Sequence, residues 1–272
     1  MDQKSVQNLH QPFLREVEGS DTAVLLVHGI LGSPNQFEAI AQKLYAAGCT
    51  VSAILLPGHG GSARDFVEAK ARDWQRAVDE AAAQLRERYR HVFLLGHSMG
   101  GLLILGEAVR YGTDGLILFS TPMRIRIGLR SALTSLKVLW GDPDRDDNRI
   151  GAYRRAFSVQ AGSLWEHLCW AATYGELMRL IKTTRRGLGQ VTQPVLIIQS
   201  KRDETVAWRS AEIFKRELAR ALTVDVRMLS RSEHSYHHPD EAEAINKAIC
   251  DFVVGKPADN AHAQTSPDVK DA

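Results

Sequence analysis

The chain has 272 residues, 44% of them hydrophobic and 24% charged, with a formal net charge of +2. That length suits one large α/β domain or two small ones and supplies a sizeable core. The near-balanced charge excludes the strong basic excess of a nucleic-acid binder. Cys49, Cys169 and Cys250 are odd in number, far apart and without metal-ligand spacing, so they read as reduced thiols rather than a disulfide framework. The lead-in Met1 to Ser20 is polar, and no apolar run approaches the ~20 residues that span a bilayer. A cytoplasmic protein with no integral membrane association is expected, with peripheral lipid contact left open.

Residues 1–21 are a polar lead-in in which Phe13 and Leu14 dock an early strand or hairpin. Thr22 to His28 is a continuous apolar run of strand length, as expected for a central strand covered on both faces. Phe37, Ile40, Ala41, Leu44 and Tyr45 then recur at helical spacing, and Gly48 is a stop signal. Thr50 to Leu56 reads as the next strand, closed by Pro57-Gly58-His59-Gly60-Gly61. Residues 62–72 read as a polar connection. Asp73 is placed to cap a helix running to about Arg90, with Trp74, Ala77, Val78, Ala81 and Leu85 on its buried stripe.

A strand over 91–95, a helix from Leu102 and a strand over Gly115 to Phe119 continue the alternation. From Met123 to Gln193 no clear strand is visible. Ala132 to Trp140 reads as helix, the acidic run 142–147 as loop, and Leu164 to Leu180 as a long helix. Alternation returns with a strand at 194–200, a helix over 207–221, a strand at 224–229 and a helix over 239–253. Residues 255–272 have the composition of a disordered tail. The expectation is an α/β protein with a mostly parallel sheet covered by helices on both faces. Its core spans 22–122 and 194–254, and a helical cap, 123–193, is inserted after the sixth strand region.

The chemistry-bearing stretch is Gly96-His97-Ser98-Met99-Gly100, set between a strand and a helix. A serine hydroxyl must be presented and activated to act as a nucleophile. A sharp strand-to-helix turn does the presenting. Gly96 and Gly100 are needed because a Cβ at either place would crowd the turn, and the Met99 N–H then points where an oxyanion would form. Ser98 needs a base, and the base needs an orienting acid. Asp203 follows the strand 194–199 and Glu204 is its neighbouring competitor; Asp203 is preferred as nearer the strand end. His234 follows the strand 224–229. Its rivals His237 and His238 abut Pro239 and read as surface or capping residues. Metal binding by this histidine cluster is the weaker alternative, with no supporting carboxylate or cysteine spacing. The Ile30 N–H, after the first central strand, is the second oxyanion donor. His28 and His59 read as loop braces, and His97 as packing beside the nucleophile.

Val27-His28-Gly29-Ile30-Leu31-Gly32-Ser33-Pro34, Leu56-Pro57-Gly58-His59-Gly60, Gly96-His97-Ser98-Met99-Gly100-Gly101, Asp203-Glu204-Thr205-Val206 and Ser232-Glu233-His234 stand in an order that resembles the α/β-hydrolases. Over about residues 22–254 the chain looks like bacterial carboxylesterases and monoacylglycerol lipases. The resemblance implies the α/β-hydrolase fold, Ser98 as nucleophile, Asp203 and His234 as its partners, Ile30 and Met99 as oxyanion donors, and a small helical cap. The absence of His-Gly-Gly-Gly sets the chain apart from hormone-sensitive-lipase-type esterases.

The cap carries many large apolar residues. Most serve its own core, and Leu136, Trp140, Leu168 and Met178 are candidates to line an acyl pocket. Arg124, Arg126 and Arg130 read as a solvated face, or as an attraction for an anionic substrate. The expected function is hydrolysis of carboxylic esters with small to medium or long acyl chains, monoacylglycerols among them, through an acyl-enzyme on Ser98 and with no metal or organic cofactor. The alternatives are thioesterase, acyltransferase or C–C hydrolase chemistry on the same scaffold, or a non-catalytic small-molecule receptor.

Overall fold

The computed structural model describes residues 10–126, 148–159 and 164–255. The strands are β1 (Phe13–Arg15), β2 (Thr22–Val27), β3 (Thr50–Ile54), β4 (His91–His97), β5 (Gly115–Phe119), β6 (Val195–Ser200) and β7 (Val224–Leu229). They form one sheet in the order β1-β3-β2-β4-β5-β6-β7. All neighbours run parallel except β1, which pairs antiparallel with β3. Every residue of β2, β5 and β6 is buried, as strands covered on both faces require. The edge strand β7 instead has exposed positions along its length.

The helices are α1 (Glu38–Ala46), α2 (Ala63–Glu68), α3 (Ala71–Arg88), α4 (Met99–Tyr111), α5 (Asn148–Ala156), α6 (Leu164–Gly187), α7 (Arg209–Glu217) and α8 (Pro239–Val254). Side chains alternate across each strand, so the sheet feeds two cores. On one face Leu25, Val27, Leu94, Leu116 and Ile197 meet Val78, Leu102, Leu105 and Phe214 of α3, α4 and α7. On the other, Val24, Leu26, Leu95, Ile117 and Ile198 meet Leu44, Ile245 and Ile249 of α1 and α8. Each such Leu, Ile or Val contributes about 1.5–3 kcal/mol of burial, offset by the conformational entropy of ordering it. Among the described residues no helix is long and apolar enough to cross a membrane.

Several boundaries differ from the sequence reading. The lead-in supplies the single short strand β1 rather than a hairpin, so the segment expected as a cap follows the fifth strand in chain order. The connection 62–72 contains α2. Ser62 Oγ accepts the Asp65 N–H at 3.2 Å, Asp65 accepts the Ser62 N–H at 3.0 Å, and Phe66 is fully buried. Asp73 is not the cap of α3 but its third residue, where its carboxylate accepts the Lys70 N–H at 3.1 Å. Strand β4 runs on to His97 and α4 starts at Met99, which leaves Ser98 as the whole turn. The expected helix 132–140, the acidic loop 142–147, the tail from residue 256, Leu136, Trp140, Arg130 and the Leu168 side chain lie outside the described features. Among the described residues, neither Cys49 nor Cys250 is in a disulfide.

The register brings the functional loops to one edge. Val27 lies opposite both Ile54 and Gly96, and Phe119 lies opposite His97 and Ile198. The chain therefore leaves β2, β3, β4 and β5 at nearly the same level, at the carboxyl edge where parallel α/β sheets build their sites.

Candidate active site

Ser98 sits at φ 52°, ψ −121°, a left-handed backbone that a non-glycine residue adopts only where its surroundings enforce it. Its N–H donates to the Phe119 carbonyl at 2.8 Å. A Cβ on Gly100 would lie 2.1 Å from the Val27 carbonyl oxygen, and one on Gly96 2.4 Å from the Gly100 carbonyl carbon. Gly29 is constrained less tightly, its Cβ meeting the Ser98 Cβ at 2.8 Å. Three close approaches thus hold the serine at the tip of β4.

The hydroxyl faces a base. His234 Nε2 is 3.1 Å from Ser98 Oγ, and His234 Nδ1 is 2.9 Å from Asp203 Oδ2. Asp203 is fully buried, and its other oxygen accepts the N–H groups of Thr205 at 2.9 Å and Val206 at 2.7 Å. This is the local turn chemistry of a short carboxylate bonding its own backbone two and three residues on. Burial acts to raise the Asp203 pKa. The charge and hydrogen bond of His234 and the two backbone N–H groups outweigh it and hold the carboxyl below its ordinary value. For His234, burial acts to lower the pKa, but the charge and hydrogen bond of Asp203, with the charge of Glu204, leave it raised above 6.5.

The rivals take other positions. Glu204, one methylene longer, turns away from the His234 ring and accepts the His234 backbone N–H at 3.3 Å and the Tyr153 hydroxyl. His238 caps α8, its ring accepting the Asp240 N–H at 3.3 Å. His237 is half-buried rather than fully exposed. Its ring stacks on Phe119 with centroids 4.8 Å apart, and burial followed by the nearby His234 charge lowers its pKa to about 4.

Across the serine, the N–H groups of Ile30 and Met99 have no acceptor among the described residues. Met99 opens α4, where an N–H has no partner inside the helix. The loop carrying Ile30 is held by two reciprocal bonds. His28 Nε2 accepts the Leu56 N–H at 3.0 Å, and His59 Nε2 accepts the Leu31 N–H at 3.2 Å. Both rings serve as acceptors only while neutral. Burial holds His59 at about 4 and His28 well below 6.5. His97 donates through Nε2 to the His234 carbonyl at 2.9 Å, a second anchor on the base's backbone.

The segment between β5 and β6 reaches these loops through contacts that no local sequence pattern signals. Ser158 donates to the Gly32 carbonyl at 2.6 Å and accepts the Gly60 N–H at 3.2 Å, while its own N–H donates to the Leu31 carbonyl at 2.9 Å. Arg149 pairs with Glu233 at 2.9 Å. Arg126 donates to the Asp203 carbonyl at 3.0 Å, so it clamps a loop rather than standing free for an anionic substrate. Met178 is 54% exposed on α6, whereas Leu177 and Ile181 turn into the core, so helical periodicity carries this pocket candidate outward. A cavity of about 550 Å³ lies behind the loop of His234, walled by His97, Phe119, Ser235, Tyr236 and His237; Ser98 and His234 do not line it.

The family described as Serine aminopeptidase, S33, matches residues 18–240. A thermostable monoacylglycerol lipase of Bacillus sp. (strain H-257) is 28% identical over 228 residues, covering 84% of this chain and 86% of its own. A carboxylesterase of Bacillus subtilis (strain 168) is 24% identical over 247 residues, covering 87% of this chain and 94% of its own. Among solved structures, one from a report on the metagenome-derived lipolytic enzymes LipS and LipT superposes with a TM-score of 0.72 at 22% identity, over 90% of this chain and 98% of its own.

Proposed function

The chain belongs to the serine aminopeptidase S33 family and has the α/β-hydrolase fold, and we propose that it is a carboxylic ester hydrolase working through an acyl-enzyme on Ser98. The carrying observation is the unbroken relay from Ser98 Oγ through His234 to Asp203, at 3.1 and 2.9 Å. Neutral His234 takes the hydroxyl proton as Ser98 attacks the ester carbonyl. Asp203 holds the Nδ1–H tautomer and stabilises the imidazolium. The oxygen that becomes negative is received by the Ile30 and Met99 N–H groups, each donor of this type being worth about 3–4 kcal/mol in the transition state. His234 then protonates the leaving alkoxide, which departs as the alcohol. Water, deprotonated by the same imidazole, releases the acid and restores Ser98.

The ester reading, rather than peptide or thioester cleavage, is supported by the two relatives, named a monoacylglycerol lipase and a carboxylesterase. Residues 123–193 act in this reading as a cap over the strand ends. α5 and Ser158 supply its described anchors on the loops of His234 and Ile30. The cap's apolar content favours uncharged esters of medium or long acyl chains, monoacylglycerols among them. Product analysis with 1-monoacylglycerols and p-nitrophenyl esters from acetyl to palmitoyl, alongside acyl thioesters and amino-acid anilides, tests this. The reading expects ester turnover rising beyond the acetyl chain. Faster cleavage of anilides or thioesters would replace it.

A further inference from the structure

The loop that presents His234 is held from the inserted segment directly at Glu233 and Ser235, and at His234 through Glu204. Glu233 pairs with Arg149 of α5 at 2.9 Å. The His234 N–H donates to Glu204 Oε2 at 3.3 Å, and Glu204 Oε1 accepts the hydroxyl of Tyr153, also on α5. The Ser235 N–H reaches the same Tyr153 oxygen at 3.5 Å. Tyr153 is 4% exposed and Glu204 6%. The chemistry derived above uses neither side chain. Among the described residues, the partners of the Glu204 carboxylate are N–H and O–H groups and not a cation. A buried carboxylate held by neutral donors keeps its field on its surroundings, and the base His234 is one of the groups it acts on.

We infer that Glu204 and Tyr153 form a positioning device for His234, through which α5 of the inserted segment sets the orientation and basicity of the triad base. The inference rests on His234 being the general base. The hydrogen bond to the His234 N–H fixes the backbone from which the ring swings. The carboxylate charge adds to that of Asp203 in stabilising the imidazolium that forms during attack. The Tyr153 hydroxyl holds the carboxylate in this place. Every group packed around the base fits the assignment. His97 and His237 stand close to the ring but are held neutral by burial, with pKa values of about 3 and about 4. Glu233 is paired with Arg149, and the Arg126 guanidinium donates to the Asp203 backbone carbonyl. Among the described residues, Asp203 and Glu204 are therefore the charges that act on His234. Tyr153 and Arg149 are the parts of the arrangement contributed from outside the sheet's own loops.

The test is the pH dependence of p-nitrophenyl butyrate hydrolysis by the full chain, its Glu204→Gln and Tyr153→Phe variants, and the double variant. Glutamine keeps the size and an acceptor but removes the charge. Its loss is expected to lower kcat about tenfold with KM changed less than twofold. It also moves the midpoint of the acidic limb down by about half a unit, because an imidazolium with one less anion beside it gives up its proton more readily. Tyr153→Phe is expected to lower kcat several-fold. As the two side chains act as one device, the double variant is expected to be no slower than Glu204→Gln alone. An acidic limb that superimposes on that of the parent, or losses that multiply in the double variant, would overturn the inference. Should the glutamine variant fail to fold, Tyr153→Phe alone carries the test: it must lower kcat at parental KM, and unchanged kcat refutes it. A parent chain that neither hydrolyses esters nor labels at Ser98 would instead overturn the underlying reading. A competent parent with parental variants overturns only this one.

Discussion

Replacing Asp203 by asparagine exchanges one carboxylate oxygen for an NH₂ group, and the structure dictates which way that group points. Two backbone N–H groups, of Thr205 at 2.9 Å and Val206 at 2.7 Å, converge on Oδ1. An amide NH₂ placed there would face both donors, so the amide oxygen must occupy this position. The NH₂ is then forced toward His234 Nδ1, where Asp203 Oδ2 accepts at 2.9 Å, and the longer 3.3 Å bond from the Gln199 amide to Oδ2 is given up in preference to the two shorter backbone bonds. A donor at that point selects the imidazole tautomer with its proton on Nε2, the nitrogen 3.1 Å from Ser98 Oγ. A protonated Nε2 cannot take the serine proton. The expected loss in kcat is about 10⁴-fold, the scale found when a triad aspartate is replaced in this way. That corresponds to about 5.5 kcal/mol of transition-state stabilisation. KM is expected to hold, because the carboxylate touches no substrate. The assay is p-nitrophenyl butyrate turnover at neutral pH, with thermal unfolding to confirm the fold. An Asp203→Asn variant within tenfold of the parent in kcat would refute the argument, since it would mean that Asp203 does not set the tautomer of the base.

Other outcomes follow from the same geometry. Gly100→Ala is expected to abolish folding or activity, because its Cβ would lie 2.1 Å from the Val27 carbonyl oxygen and 2.7 Å from that of His28, both of them backbone atoms; a soluble, active alanine variant would show that the turn can open. Ser158→Ala leaves the Gly32 carbonyl and the Gly60 N–H without their partner. It is expected to cost about 1–3 kcal/mol in urea unfolding and to lower kcat, with unchanged values contradicting the anchor. Stability should fall between pH 7 and pH 5. His59, His97 and His237 have folded pKa values of about 4, about 3 and about 4 against 6.5 for the free side chain, so below pH 6.5 the unfolded chain binds the more protons. Each contributes at most roughly 2 kcal/mol over that interval, partly offset by His234, whose raised pKa acts in the opposite sense. A urea midpoint unchanged from pH 7 to pH 5 would show that these rings are solvated.

What could be read in advance was local. The serine turn is written in Gly96 and Gly100, whose missing Cβ atoms are needed within a few residues of Ser98. Asp203 shows itself as a short carboxylate ahead of Thr205 and Val206, whose N–H groups it collects. The sheet was legible because apolar runs separated by helical spacing leave few topologies for parallel strands. What escaped reading is held by contacts distant in sequence. Tyr153 reaches Glu204, and Ser158 reaches Gly32, from an inserted segment with no motif of its own. His237 stacks on Phe119 of β5, a contact that its place beside Pro239 does not reveal. Helix α2 was hidden because its six residues carry only two buried side chains and its signal is the Ser62–Asp65 cap. Met178 has a pocket residue's chemistry, and only its angular position on α6 sends it outward.

Every step of the proposed reaction passes through Ser98 as nucleophile. The direct measurement is fluorophosphonate labelling mapped by mass spectrometry, with p-nitrophenyl butyrate and decanoate turnover by the parent and by Ser98→Ala. The expected result is one label, on Ser98, turnover of both esters by the parent, and loss of both label and turnover in the alanine variant. A label on another residue, or ester turnover that survives in Ser98→Ala, would contradict it.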